Sequence, residues 1–220
     1  MDLPGCGRSA GELTLATADV VSLTAWVTRF LDALRPAELC GVAGHDIGGA
    51  ITQRLLTTAG DRVERIALVN SVTYDSWPVP GVARYRDPEV VAATTVEEIL
   101  VARRKAIIAA LARPISENEL RDYLSPWTDM RVARSWMSLA GAADSRYTLE
   151  LLDDLRADSR PKLLVWGEDD VFQPVQYAER FAAEVPSSRL VRIPSAGHIP
   201  MENDPAAVTQ ALSAFFVPGE

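Results

Sequence analysis

Three side chains in this 220-residue chain stand where chemistry could be done. Asp46 is the centre of Gly44-His-Asp-Ile-Gly48, a short turn with glycine at both ends. Asp170 closes Gly167-Glu-Asp-Asp170, and His198 closes Ser195-Ala-Gly-His198. A carboxylate with an ordinary pKa of ~4 is already ionised at neutral pH, so it can attack a saturated carbon with no base to activate it. An imidazole steadied by a second carboxylate can then take a proton from water, and that water can cleave the ester left on the first carboxylate. An ordinary ester attacked by a carboxylate would give an anhydride. The chemistry suggested is therefore at activated sp3 carbon, by displacing halide or opening an epoxide, and it needs no metal and no organic cofactor. The duller reading of the turn is a glycine-rich strand-to-helix junction in which Asp46 only caps the next helix.

For the three groups to meet, each must finish at one rim of one sheet, and the hydropathy pattern provides for that. Leu39 to Ala43 is a short apolar run ending at Gly44 and reads as a buried strand. Arg65 to Val69, Lys162 to Trp166 and Arg189 to Ile193 are further strand candidates. Between them, Ala50 to Ala59 and Val175 to Ala183 carry apolar residues at helical spacing, as does Val208 to Phe216 after the Asp204-Pro205 start. Upstream, Thr17 to Leu34 shows a stripe of Leu23, Trp26, Val27, Phe30, Leu31 and Leu34, with Thr17 as its cap and Arg35-Pro36 as its stop. Helices of this length can serve as crossovers between parallel strands, so the class is α/β. Asp46, Asp170 and His198 each follow a strand and so share the sheet edge where ligands are expected.

The middle of the chain differs. After the polar, proline-rich passage Asn70 to Pro80, no strand pattern appears until Lys162. Thr95-Val-Glu-Glu98 and Ser116-Glu-Asn-Glu119 have the form of capping boxes, and Ser125-Pro126 marks a third helix start. The expected organisation is a core of residues 1–77 and 152–220 with a helical cap over 78–151.

Composition removes several classes of function. A formal net charge of −8 argues against a nucleic-acid partner. The densest basic run, Arg103-Arg104-Lys105, reads as a solvated helix face. No apolar run is long enough for a membrane span and the first residues do not resemble a signal peptide, so a cytoplasmic location is the default. Cys6 and Cys40 make no disulfide framework, and His45 and His198 make no metal cluster.

With these segments in place, the chain resembles the epoxide hydrolase and haloalkane dehalogenase branch of the α/β-hydrolases. LPGCGRS resembles the loop after that family's fourth strand, and VAGHDIGGA its nucleophile turn. KLLVWGEDDVFQP resembles the acid segment and IPSAGHIPMENDP the histidine segment. The order of nucleophile, acid and histidine is also the family's. The resemblance implies Asp46 as nucleophile, His198 as base, Asp170 rather than Asp169 as the histidine's partner, and the N–H of Ile47 as an oxyanion donor. A second donor would come from a His-Gly-x-Pro loop, a motif this chain lacks. Some dehalogenases carry their acid near the position of Asn70, which is uncharged here.

Epoxide hydrolases use cap tyrosines as acids, and of Tyr85, Tyr123 and Tyr147 the last two are the candidates, with Trp77 as a pocket wall. Dehalogenases hold halide with indole N–H groups, one of them directly after the nucleophile. Ile47 occupies that place, leaving Trp127 or Trp136 to substitute, so epoxide hydrolysis edges ahead. The substrate expected is a small apolar molecule. The family's first four strands have no counterpart, which implies an N-terminally truncated, mostly parallel sheet with a helical cap insertion. Its exposed edge at Leu39 to Ala43 could be completed by a homo-oligomer or another partner. A non-catalytic remnant that binds or supports another protein is the alternative of a different class.

Overall fold

A computed structural model describes residues 1–34 and 40–217. Four strands, β1 (Cys40–Asp46), β2 (Val63–Ser71), β3 (Lys162–Gly167) and β4 (Ser188–Ile193), form one parallel sheet in the order β1-β2-β3-β4. Helices α1 (Val20–Leu34) and α2 (Ile47–Thr58) precede β2. The insertion between β2 and β3 holds α3 (Pro88–Ala93), α4 (Val96–Leu111), α5 (Glu117–Leu124), α6 (Met130–Gly141), α7 (Arg146–Leu149) and α8 (Leu152–Ala157). After β3 come α9 (Val175–Glu184), α10 (Pro200–Asn203) and α11 (Pro205–Phe216).

Strand periodicity sorts the core into two layers. Ile66, Leu68, Leu164 and Trp166 face α2 and α9, with α1 packed on α2. The alternate residues Ala67, Val69, Leu163 and Val165 face Val208 and Ala211 of α11. β2 and β3 are buried along nearly their whole length, as unbroken apolar runs should be in a sheet covered on both sides. β1 is the sheet's edge, as the resemblance implied, and not the buried strand that its apolar run alone suggested, with Gly41 and Ala43 exposed. Leu39, and the expected helix stop at Arg35-Pro36, lie outside the described residues.

The helix starts follow capping chemistry, with some changes of residue. Asp19, not Thr17, caps α1, accepting from the Ser22 amide at 2.9 Å and from its hydroxyl at 2.7 Å. Thr95 and Glu98 make the full reciprocal box that opens α4. Ser116 makes only half of one, because Glu119 turns its carboxylate to Arg113. Ser125-Pro126 opens a 3-10 turn, and α6 begins after Asp129, which accepts from the Arg131 amide at 2.8 Å. Asp204 caps α11 through the Ala207 amide at 2.9 Å.

Within the insertion, Tyr85, Ile99, Ala133 and Met137 form one small apolar cluster, and Ile107, Leu111 and Leu120 another. Trp77, Tyr147, Leu151 and Leu155 belong instead to the sheet's own core. The first residues of the chain are tied to α6: Leu13 donates to Ser135 Oγ at 3.0 Å, and Arg131 Nη1 bonds the carbonyls of Ser9 and Gly11. Trp166 is fully buried and gives its indole N–H to Gln173 O at 2.7 Å. Trp26, expected in the core, is 44% exposed and lies under Arg29.

Candidate active site

β1 passes into α2 with no intervening residue, and Asp46 absorbs the reversal at φ 51°, ψ −121°. For a residue with a Cβ this conformation costs on the order of 1–3 kcal/mol, so the surroundings must enforce it. They do so by close approach. A Cβ on Gly44 would come well inside 3.0 Å of Gly48 O and Thr52 Oγ1, and one on Gly49 would strike the Ser71 side chain. Gly48 has open space around it. Of the two glycines that define the turn by sequence, the first is sterically required, and Gly49 carries the constraint expected of Gly48. Ser71 Oγ also donates to Gly44 O at 2.9 Å, and Val72 N to Asp46 O at 3.1 Å. Asp46 makes no side-chain cap bond to α2, and its carboxylate is 46% exposed. The capping reading of Asp46 fails on that geometry.

Asp170 is buried and both its oxygens are fully used. Oδ1 accepts from the amides of Phe172 at 2.7 Å and Gln173 at 3.0 Å. Oδ2 accepts from Asn70 Nδ2 at 2.7 Å and is 2.9 Å from His198 Nδ1. Asp169 is exposed and does not reach the histidine. Asn70 is held in the left-handed region at φ 37° and also accepts from Gly167 N at 2.8 Å. An uncharged residue there fixes the acid in place.

With Nδ1–H given to Asp170, the other ring nitrogen of His198 faces Asp46, Nε2 lying 3.6 Å from Oδ1. Burial of the ring pulls the His198 pKa down, but the Asp170 hydrogen bond and the charges of Asp46 and Asp170 outweigh it, so the group titrates above an ordinary histidine. His45 lies beside it, ring centroids 4.9 Å apart, and donates from Nε2 to His198 O at 2.7 Å. Burial and then the charge of His198 lower the His45 pKa, which keeps it neutral as a donor.

These groups open on a cavity of about 400 Å3. Its polar lining is His45, Asp46, Arg103, Gln173 and His198, and most of the rest is apolar, including Ile47, Val72, Trp77, Trp136, Phe172 and Ile199. Trp77 lines the cavity, its N–H taken by Thr148 Oγ1 at 2.8 Å. Trp136 lines the cavity, and Trp127 stacks edge-on against it. Tyr123 and Tyr147 do not line it. Tyr123 packs in the Ile107, Leu111 and Leu120 cluster, where burial and Glu202 push its phenol up to about 12. Tyr147 packs on the sheet's core and accepts from Arg146 Nη2 at 3.2 Å. Among the described residues no tyrosine lines the cavity.

Arg103 overturns another expectation. Arg104 and Lys105 are exposed, but Arg103 turns into the cavity with its guanidinium 4.4 Å from the Trp127 ring centroid and 4.8 Å from that of Trp136. Sequence reasoning missed Arg103, His45 and Asn70 as site residues. Of these, His45, adjacent to Asp46, and Asn70, the position noted through the resemblance, carried a positional signal, whereas Arg103 carried none. Among the described residues there is no cluster of metal-ligating side chains and no helix long and apolar enough to cross a membrane.

Residues 1–211 match the Alpha/beta hydrolase family. A pimeloyl-[acyl-carrier protein] methyl ester esterase from Aeromonas hydrophila is 26% identical over 231 residues, covering 98% of this chain and 83% of that protein. The dihydrolipoyllysine-residue acetyltransferase component of the acetoin cleaving system of Pseudomonas putida is 28% identical, with 98% of this chain spanning 55% of its length. Among solved structures, an α/β hydrolase fold protein from Burkholderia ambifaria superposes with a TM-score of 0.82 at 25% identity, over 96% of this chain and 77% of that one. The haloalkane dehalogenase DbeA from Bradyrhizobium elkani gives 0.81 at 18% identity, over 98% and 78%, a likeness of fold.

Proposed function

The chain belongs to the Alpha/beta hydrolase family, and from that premise we propose that it hydrolyses an activated sp3 carbon through a covalent ester on Asp46. The observation that carries this reading is the uncapped carboxylate at the strained turn with His198 Nε2 at 3.6 Å. An Asp46 oxygen attacks the carbon, a new C–O bond forms, and the leaving group departs with the bonding electrons. Water then gives a proton to His198 Nε2 as its oxygen adds to Asp46 Cγ. The acyl–oxygen bond breaks, the product alkoxide recovers the proton from His198, and the carboxyl of Asp46 loses its own to solvent. Asp170 holds the imidazole tautomer and offsets its positive charge, and the N–H of Ile47, the first residue of α2, would meet the oxyanion of the second step, a contact worth about 3 kcal/mol in such sites. Residues 78–151 serve as the cap that roofs the cavity.

Between the two electrophiles, the cavity supports halide displacement over epoxide opening. An alkoxide released from an epoxide has no phenol to protonate it among the described lining residues, whereas the N–H-bearing Trp136 is present for a departing anion. Ester hydrolysis is the second reading, favoured by the methyl ester esterase from Aeromonas hydrophila among the relatives and opposed by a carboxylate at position 46.

Trapping tests the proposal. A His198→Gln variant incubated with 1-bromobutane or 1,2-epoxybutane should accumulate the corresponding added mass on the peptide holding Asp46. An unlabelled peptide with both classes of electrophile would sink it. An Asp46→Ser variant that gains activity on methyl esters would move the assignment to the second reading.

A further inference from the structure

Arg103 is a cavity-lining charge that the chemistry of Asp46 and His198 leaves unused. Its position is set by aromatic faces, Trp127 and Trp136, rather than by an acid. Its Nε is buried with no acceptor, and among the described residues it makes no ion pair. Its neighbour Arg104 behaves quite differently, bonding both carboxylate oxygens of Glu117 at the surface. The acids in the first turn of α4 do not serve Arg103 either, since Glu98 is committed to the capping box. Asp46 is the one acid that lines the cavity among the described residues, and it stands beyond ion-pair distance. Burial works against the Arg103 charge, and the Asp46 carboxylate works in its favour.

A desolvated cation without a bonded partner is costly, and so is an unmet donor beside it. The cavity thus holds an anion at the sheet rim and an unpaired cation on α4, with apolar walls such as Val82, Ile107 and Leu139 between. A neutral alkyl substrate would leave that cation unmet.

We propose that Arg103 receives a carboxylate of the substrate, so that the compound attacked by Asp46 is a small organic acid with an apolar body and its leaving group remote from the acid end. A guanidinium presents N–H groups in a planar fork that matches two carboxylate oxygens, a better fit than a spherical halide. The contact would also offset the repulsion between a substrate anion and the Asp46 carboxylate. Anchoring the acid end fixes the distance at which the far carbon meets Oδ1. The inference rests on the Asp46 reading above.

The test uses the whole chain with ω-bromoalkanoates of increasing length, each paired with its primary amide. At the best length, kcat/KM for the acid should exceed that for the amide by ~10- to 100-fold, the range of a hydrogen bond to a charged group. Arg103→Gln should bring that ratio to within a few-fold of one, and Arg103→Lys should keep part of it. Equal use of acid and amide by the unaltered protein overturns the inference, as does an Arg103→Gln variant that slows both alike. A measurement free of any variant guards against misfolding: butanoate should inhibit turnover at least ~10-fold more tightly than butanamide, and equal inhibition overturns the proposal. The two failures separate in the His198→Gln background. Label on Asp46 from amides as readily as from acids leaves the ester chemistry standing and removes the carboxylate site, whereas no label from either removes both.

Discussion

At the scale of single residues, the site is governed by how its charges hold one another. The raised pKa of His198 has a definite sign. The folded protein keeps the imidazolium to higher pH than the unfolded chain does, so its share of stability is full below ~6.5 and is lost as pH rises through the folded value. The proposed ester hydrolysis runs the other way, because only the neutral ring can take a proton from water. Decay of the Asp46 ester, followed by mass spectrometry in single turnovers, should therefore speed up with pH, with a midpoint below that of His198 in the free protein, because the ester no longer carries the Asp46 charge that helps to raise it. Asp170→Asn removes the leading upward influence, so the midpoint should fall, and loss of tautomer control should slow decay by as much as about 10^4-fold. Asp46, Asp170 and His198 were legible because each follows a strand and each sits in a short, characteristic motif. Arg103 was not legible. Three consecutive basic residues on a helix look solvated, and only the angle at which α4 lies over the sheet turns one of them inward. The tyrosines failed for the same reason, since helical membership does not say which face is inside.

At the scale of elements, the turn between β1 and α2 concentrates the constraint. Gly44→Ala should cost about 3 kcal/mol or more, because its new methyl meets backbone at Gly48 that cannot withdraw. Gly49→Ala should be similar against Ser71, while Gly48→Ala, with open space and helical backbone, should be neutral to mildly stabilising. Thermal melts of the three variants check the ranking, and a Gly48→Ala change as damaging as Gly44→Ala would contradict it. Strand positions were readable from apolar runs, and the residues that alternate between the two core layers follow from strand period alone. What such runs do not encode is which strand lies outermost. β1 has the composition of an interior strand and the exposure of an edge. Helix starts were readable to within a cap, and Asp19 displaced Thr17 because its carboxylate reaches both the Ser22 amide and hydroxyl.

At the scale of the whole molecule, the insertion and the histidine loop rest directly on one another. Asn203 bridges them, giving Nδ2 to Leu111 O at 2.6 Å and accepting from Gly197 N at 3.1 Å, while Ile199 N reaches Ala110 O at 3.4 Å. The helix that carries Arg103 is thus seated on the loop that carries His198. Asn203→Ala leaves a buried amide and carbonyl unmet. It should lower stability by ~1–3 kcal/mol and slow ester decay more than ester formation, which a transient rise in labelled Asp46 would reveal. Nothing in the sequence announced this seam, because its partners are ninety residues apart and each is an ordinary loop or helix end. One further consequence follows from where Asp46 is mounted. It sits on one edge strand, Asn70 lies on one inner strand and Asp170 follows the other, and His198 follows the edge strand on the opposite side. Marginal strands loosen first, so gentle warming should draw Asp46 and His198 apart from opposite flanks while Asp170 stays seated between them, and the 3.6 Å approach would be lost before the sheet itself melts.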